Sequence, residues 1–193
     1  RVPIFSAINN KMFKLFDTIV NCESFDSKIE DGFGETLLES LLYLSGSDEV
    51  NTSKEDNAML KSMIKSILSS KTFDFNAKDL NNDTAINVAC EYPSEVWVVE
   101  ALVSKKDIDV NVVNDFDCSA VENCIRNKNM EALKLLGQRP DLIIRKQAKD
   151  LAKECGIKLD EYIKPTESIF GKYVVESDAA KTEDALEYEL TRA

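Results

Sequence analysis

A short cassette of residue types returns along this chain at a near-constant stride, and no other feature constrains the fold as much. One copy runs Asn76-Ala77-Lys78-Asp79-Leu80-Asn81-Asn82-Asp83-Thr84-Ala85-Ile86-Asn87-Val88-Ala89, and 35 positions later comes Asn111-Val112-Val113-Asn114-Asp115-Phe116-Asp117-Cys118-Ser119-Ala120-Val121-Glu122-Asn123-Cys124. In both, an Asn lies eight residues before a Thr or Ser and an Asp or Asn five before it. An aliphatic residue follows two after that Thr or Ser, and a small residue five after it. Periods of this size indicate a solenoid, whose units bury their apolar faces only against neighbours. Such arrays usually offer a surface to partners rather than an enclosed site for chemistry.

With Thr84 as reference, equivalent positions fall at Val2, Thr36, Thr84, Ser119 and Gln147, with strides of 34, 48, 35 and 28. The residue five later is Ala7, Leu41, Ala89, Cys124 or Ala152, small in four of the five, which lets a second helix approach closely. Asp31, Gly32 and Gly34 precede Thr36, and Asp79, Asn81 and Asn82 precede Thr84; these residue types tolerate the positive φ of tight turns. A second apolar stripe at helical spacing follows in Leu15, Phe16, Ile19 and Val20, in Val98, Val99, Leu102 and Val103, and in Leu133, Leu135 and Leu136. Each unit therefore reads as turn, short helix, turn, longer helix. The expected fold class is an all-α repeat solenoid of about five stacked helix-turn-helix units.

These residues resemble the ankyrin repeat, whose pattern is roughly D-x-x-G-x-T-P-L-H-x-A, then a V-V-x-x-L-L helix and a closing V-N. The matching residues are Asp31, Gly34, Thr36 and Leu38; Asp79, Thr84, Ile86, Ala89, Val98 and Val99; Val110 with Asn111; and the run from Glu131 to Leu136. The run from Asp150 to Gly156 is similar to the D-L-A-x-x-x-G of late ankyrin units. The resemblance covers residues 2–163 and implies short β-hairpin loops between units. The family's His is absent, because the chain has no histidine; its slot holds Phe5, Glu39, Asn87, Glu122 and Asp150. In the family that His ties one repeat to the next, so weaker or differently made joints are expected here. The family Pro survives only as Pro3.

The expected organisation is an ankyrin-like domain over 1–163 and an acidic tail over 164–193, part of it helical from Glu183 to Thr191. The long stride places 14 extra residues in a polar insertion loop, 45–57, between the two helices of the second unit. The short last stride implies an abbreviated final hairpin around Arg139-Pro140-Asp141.

Charge and composition narrow the function. The chain carries 35 acids against 24 bases, a net charge of -11, so it repels nucleic-acid backbones and favours a protein partner with a basic or basic-apolar surface. A hydrophobic content of 44% suffices for a packed core, and no apolar run approaches the ~18 to 20 residues that span a bilayer, so no membrane insertion is expected. Cys22, Cys90, Cys118, Cys124 and Cys155 are too few and too scattered for a stapled secreted domain, and read as reduced thiols that mostly pack. The expected location is the cytoplasm, with the nucleus or a host-cell cytosol as variants. The sequons at Asn51 and Asn82 read as unmodified.

No catalytic or metal site emerges. Without histidine, His-activated nucleophiles and the usual zinc ligand sets are excluded. Asp79-Leu80-Asn81-Asn82-Asp83 imitates the start of a calcium loop, but Thr84 and Cys90 stand where that loop needs Gly and a bidentate Glu, so a turn is expected. No catalytic residue, cofactor or metal is assigned.

The resemblance instead implies partner contacts at the turn tips and the exposed ends of the first helices. Transferred to this register, these are Phe33 and Glu35; Leu80, Asn81 and Asp83; Asp115 and Phe116; and, at helix ends, Tyr43, Glu91, Tyr92, Arg126 and Asn127. Phe33 and Phe116 either fold back onto the neighbouring hairpin or stay exposed as anchors for a partner. The expected function is a non-catalytic protein-protein interaction module or scaffold that uses its concave, hairpin-side face. The alternative, motivated by a chain that opens on Arg1 rather than Met, is a regulatory or targeting segment of a larger enzyme, transporter, transcription-related regulator or pathogen effector.

Overall fold

Three turns of this protein solve the same problem in the same way. In the computed structural model, which describes residues 3–46 and 53–163, Asp31 Oδ1 accepts the backbone N–H groups of Phe33 (2.7 Å) and Glu35 (3.2 Å). Asp79 Oδ1 accepts those of Asn81 (2.8 Å) and Asp83 (2.8 Å), and Asn114 Oδ1 those of Phe116 (3.0 Å) and Cys118 (2.9 Å). The side-chain oxygen thereby satisfies donors that have no sheet to join. Three residues further on, Gly34, Asn82 and Asp117 take φ of 82°, 60° and 57°, a region open to Gly and least costly for Asn and Asp among the other residues. One antiparallel bridge closes each turn, at Glu30–Thr36, Lys78–Thr84 and Val113–Ser119. The expected β-hairpins are thus reduced to single bridges, and no strand forms among the described residues.

A helix starts directly behind each bridge. Thr84 and Ser119 keep extended backbone angles and stand as N-caps of the helices that follow; Ser119 and Glu122 form a reciprocal capping box. Thr36 donates its N–H to Glu39 Oε2 at 2.8 Å, the same half of that motif. The described helices are α1 (Pro3–Asn9), α2 (Phe13–Val20), α3 (Leu37–Gly46), α4 (Lys54–Ser69), α5 (Ala85–Ala89), α6 (Val96–Val103), α7 (Ala120–Arg126), α8 (Met130–Leu136) and α9 (Lys146–Glu154). Short 3₁₀ turns cover Pro93–Glu95 and Leu159–Glu161. The fold is all-α.

The helices pack as neighbours along the chain. α3 lies on α5, α5 on α7 and α7 on α9, while α1 packs on α2, α2 on α4 and α6 on α8. The residues expected in the small slot are shielded from solvent: Ala7, Leu41, Ala89, Cys124 and Ala152 are all buried. Behind them Phe16, Val20, Val98, Val99, Leu102, Leu133 and Leu136 join one apolar cluster that runs from Ile4 to Ile163. Full burial of a Leu or Val side chain contributes about 1.5–3 kcal/mol, so these stripes supply the main cohesion.

The joints between successive turns are made by asparagines. Asn76 donates from Nδ2 to Asp107 O (2.6 Å) and accepts from Asp109 N (2.9 Å). Asn111, at the equivalent place eight before Ser119, donates to Asp141 O (2.9 Å) and accepts from Ile143 N (2.8 Å). Each amide thus clamps both a carbonyl and an N–H of a segment some thirty residues onward. Where the resemblance would place His, Asn87 reaches Val112 O (3.2 Å), and Arg145 reaches Glu122 Oε1 (3.3 Å).

Several boundaries depart from the sequence reading. The polar loop expected over 45–57 is shorter: Ser45 and Gly46 finish α3, Ser53 caps α4 by accepting from Asp56 N (3.1 Å), and Lys54 to Asn57 are its first turn. Residues 47–52 lie outside the described residues. Helix α9 begins at Lys146 with Arg145 in the cap position, so Gln147 is already helical. Lys11 between α1 and α2 and Lys128 between α7 and α8 take positive φ (57° and 55°), whereas α5 and α6 are joined through the Pro93–Glu95 turn, since proline cannot take positive φ. Around Arg139 no bridge forms; its guanidinium holds Val103 O, Lys105 O and Ile108 O at 2.9 to 3.2 Å. The reference position Val2 and the tail expected over 164–193 lie outside the described residues; Ile163, the last described residue, is buried.

Replacing Asn76 or Asn111 by Ala removes two clamps each and leaves backbone groups to find water. Each substitution is expected to lower unfolding stability by about 1–3 kcal/mol in urea titration, whereas Lys106→Ala, at an exposed position, changes it by about 0.5 kcal/mol or less.

Candidate partner-binding face

The turn tips carry apolar side chains into solvent. Phe33 is 88% exposed, Phe116 67% and Leu80 66%. Neither phenylalanine folds back onto a neighbouring turn. The tips are bonded in succession, because Leu80 N donates to Gly34 O (3.2 Å) and Asp115 N to Asn81 O (2.9 Å). Leu80 also lies across Gly34: a Cβ there would come within 2.1 Å of Leu80 Cδ1, and φ is already positive, so only glycine fits. Asn82 Nδ2 adds a bond to Asp115 Oδ1 at 2.8 Å.

Asn81, Asp115, Arg126, Asn127 and Tyr43 are exposed as expected, and Glu35 is half-buried. Three residues of the set lie elsewhere. Asp83 is 7% exposed, with both carboxylate oxygens 2.9 Å from Asn114 Nδ2, so it braces the next turn rather than meeting a partner. Tyr92 is half-buried against α3, where a Cβ on Gly46 would stand 2.7 Å from its Cγ. Glu91 is half-buried and accepts from Asn123 Nδ2 at 3.0 Å. An Asp or Glu near a turn reads alike in sequence whether it faces solvent or the next turn.

A groove lies beside the first tip. α3, α5, α7 and α9 contact one another in series, but no comparable packing joins α1 to α3. The space between them is an open groove of ≈ 870 Å³. Its apolar lining includes Phe5, Ile8, Phe33, Tyr43 and Leu44, and Glu30, Asp31 and Glu35 supply charge on the turn side. Among the described residues no basic side chain lines it. Of the sequence-derived set, Phe33, Glu35 and Tyr43 meet here, and the remaining residues do not. Phe5 escaped the sequence reading although it occupies the slot of the family's His; an aromatic side chain in a slot meant to bond the next unit was the available signal.

The acids along this side crowd each other. Burial, reinforced by Asp31 and Asp79, pushes the Glu35 carboxyl up. Burial lifts Glu39 to about 8, with Thr36 opposing and Asp79 and Asp83 adding to the rise. Glu91 reaches about 7 through burial and then the charges of Asp83 and Asp79. Asp83 is raised by burial and by Asp79 and Asp115, against the Asn114 bond. Asp79 is the shared like-charge neighbour of all four. A cation arriving at this seam would relieve that repulsion.

Asp79 Oδ1 is turned into its own loop by two N–H bonds. Among the described residues no group of three or more His, Cys, Asp or Glu is placed to hold a metal ion, and no helix is long and apolar enough to cross a membrane. All five cysteines are free thiols; Cys90, Cys118 and Cys124 are buried, while Cys22 and Cys155 are exposed. The chain matches no protein-family model, no curated protein and no solved structure.

Glu39 gives a test of the buried seam. It is 2% exposed, and its Oε1 has no hydrogen-bond partner among the described residues. The folded state holds the proton more tightly than the unfolded chain, whose carboxyl titrates near the ordinary 4.5. The contribution is therefore complete below pH 4.5 and is lost as pH rises through about 8. Relative to Glu39→Gln, which keeps the oxygen for Thr36 N–H, the unaltered chain should lose stability by up to about 1.4 kcal/mol per pH unit across that window. Urea midpoints measured at several pH values check this.

Proposed function

We propose that the chain is a non-catalytic protein-interaction module, a divergent ankyrin-like stack of about five units, that holds another protein through the side bearing the turn tips. The observation that carries this reading is the exposure of Phe33, Leu80 and Phe116 on turns bonded to one another, where large apolar groups have no internal use. Clusters of exposed apolar and aromatic side chains with a polar rim are typical of interaction surfaces, and a few such anchors carry most of the binding energy. The stack reading is supported by the three equivalent turns and by the order of helix contacts. The acidic seam favours a partner surface rich in Lys and Arg beside apolar groups.

A non-catalytic role is supported by how the turn acids are employed. Asp31, Asp79 and Asp83 spend their oxygens on backbone N–H groups or on Asn114, so they serve geometry. A reducing compartment such as the cytoplasm suits the exposed thiols of Cys22 and Cys155.

The test substitutes Phe33, Leu80 and Phe116 by Ala together and compares affinity capture, read by mass spectrometry, with that of the unaltered chain. Since all three side chains are largely in solvent, circular dichroism and melting temperature should stay unchanged. Specific partners should be lost at least tenfold. Equal recovery of the same partners by both chains would assign binding to another face.

A further inference from the structure

The groove between α1 and α3 has a feature that the rest of the tip side lacks. Leu80 N and Asp115 N, each four residues before its Thr or Ser, donate back to the preceding turn at Gly34 O and Asn81 O. Gly32 holds the same place before Thr36. No acceptor among the described residues meets its N–H, and Gly32 lines the groove. The series of tip-to-tip bonds therefore starts with an open donor.

We propose that this groove binds an extended segment of another protein in which Lys or Arg alternates with apolar residues, one of its backbone carbonyls accepting from Gly32 N–H. The inference rests on the reading of the chain as an interaction module and names the site and the ligand class. Three independent features define the occupant. The open N–H calls for a carbonyl in line with the existing tip-to-tip bonds, as strand-like peptides supply. Phe5 and Ile8 on one wall, and Phe33, Tyr43 and Leu44 on the other, call for apolar side chains. Glu30, Asp31 and Glu35, with no base among the described residues of the lining, call for cationic ones. A second copy of this chain is disfavoured because its net charge is -11.

Gly32 also provides a clean variant. It is the second residue of the turn closed by Gly34 N to Asp31 O (3.4 Å), and its φ is not in the left-handed region. Proline suits that place in a turn while deleting the N–H. Alanine keeps the N–H, and a Cβ there meets nothing within 4 Å.

The experiment selects peptides of about twelve residues, roughly 40 Å when extended, from a random phage-displayed library on the full chain. Enriched peptides are then titrated as fluorescent synthetic probes. Enrichment of Lys or Arg next to apolar residues is expected. Those probes should bind Gly32→Ala as they bind the unaltered chain, Gly32→Pro threefold to tenfold more weakly, and Tyr43→Ala at least tenfold more weakly. Should Tyr43→Ala melt at a lower temperature, the two Gly32 variants still decide the matter. Peptides without basic residues, unchanged affinity for Gly32→Pro, or no enrichment at all would overturn the groove assignment. If the probes are instead lost only with Leu80→Ala plus Phe116→Ala, the groove inference fails while the interaction face stands.

Discussion

A turn that belongs to no sheet must find acceptors for its N–H groups within a few residues, and everything on the tip side of this protein follows from how that is done. One oxygen per turn, from Asp31, Asp79 or Asn114, takes two donors at once. With the oxygen at the centre of the loop so occupied, the backbone wraps around it and the side chains at the rim have no core to enter. Phe33 and Phe116, each the first of its two donors, and Leu80, just before its own pair, stand in solvent there. The same closure delivers Thr36, Thr84 and Ser119 in extended conformation to the heads of α3, α5 and α7, so turn and helix are one unit of local structure.

The use of acids for this purpose has an electrostatic cost that polar uncharged residues would avoid, and Asn114 shows that an amide does the geometric work equally well. Burial first, and Asp79 as a like-charge neighbour beside it, raise four carboxyls on this side. Stability and binding thereby draw on the same charges. A cationic ligand bound here would stabilise the folded chain by meeting repulsion that the fold itself has built, and its affinity would include that relief.

The periodic skeleton was legible because packing and turn closure each demand a residue type at a fixed place. The slot of Ala7, Ala89, Cys124 and Ala152 reads as small because helices touch there, and Asn82 and Asp117 stand where left-handed φ is required. The tip aromatics were legible for the converse reason, that an apolar residue two after the turn's Asp or Asn stands at the tip, where there is no core to enter. What sequence did not disclose depends on relations between units. Asp83 and Asp115 look alike as letters, yet one is enclosed by Asn114 and the other faces water. The groove arises from a helix contact that fails to form between α1 and α3, and no residue announces a missing contact. The loop over 45–57 was overextended because the Ser53 to Asp56 cap was read as polar filler.

The clamps at Asn76 and Asn111 reach only to the segment some thirty residues onward. Short loops close at low entropic cost, so such a chain gathers its structure in local pieces rather than through one distant pairing. The same locality means that the piece with fewest neighbours opens first. α1 rests on α2 without a comparable hold on α3, so the wall of the groove is a helix held mainly by one neighbour, as α9 is held by α7. A ligand bound in the groove would thus complete the order of a segment that the fold itself ties down on one side.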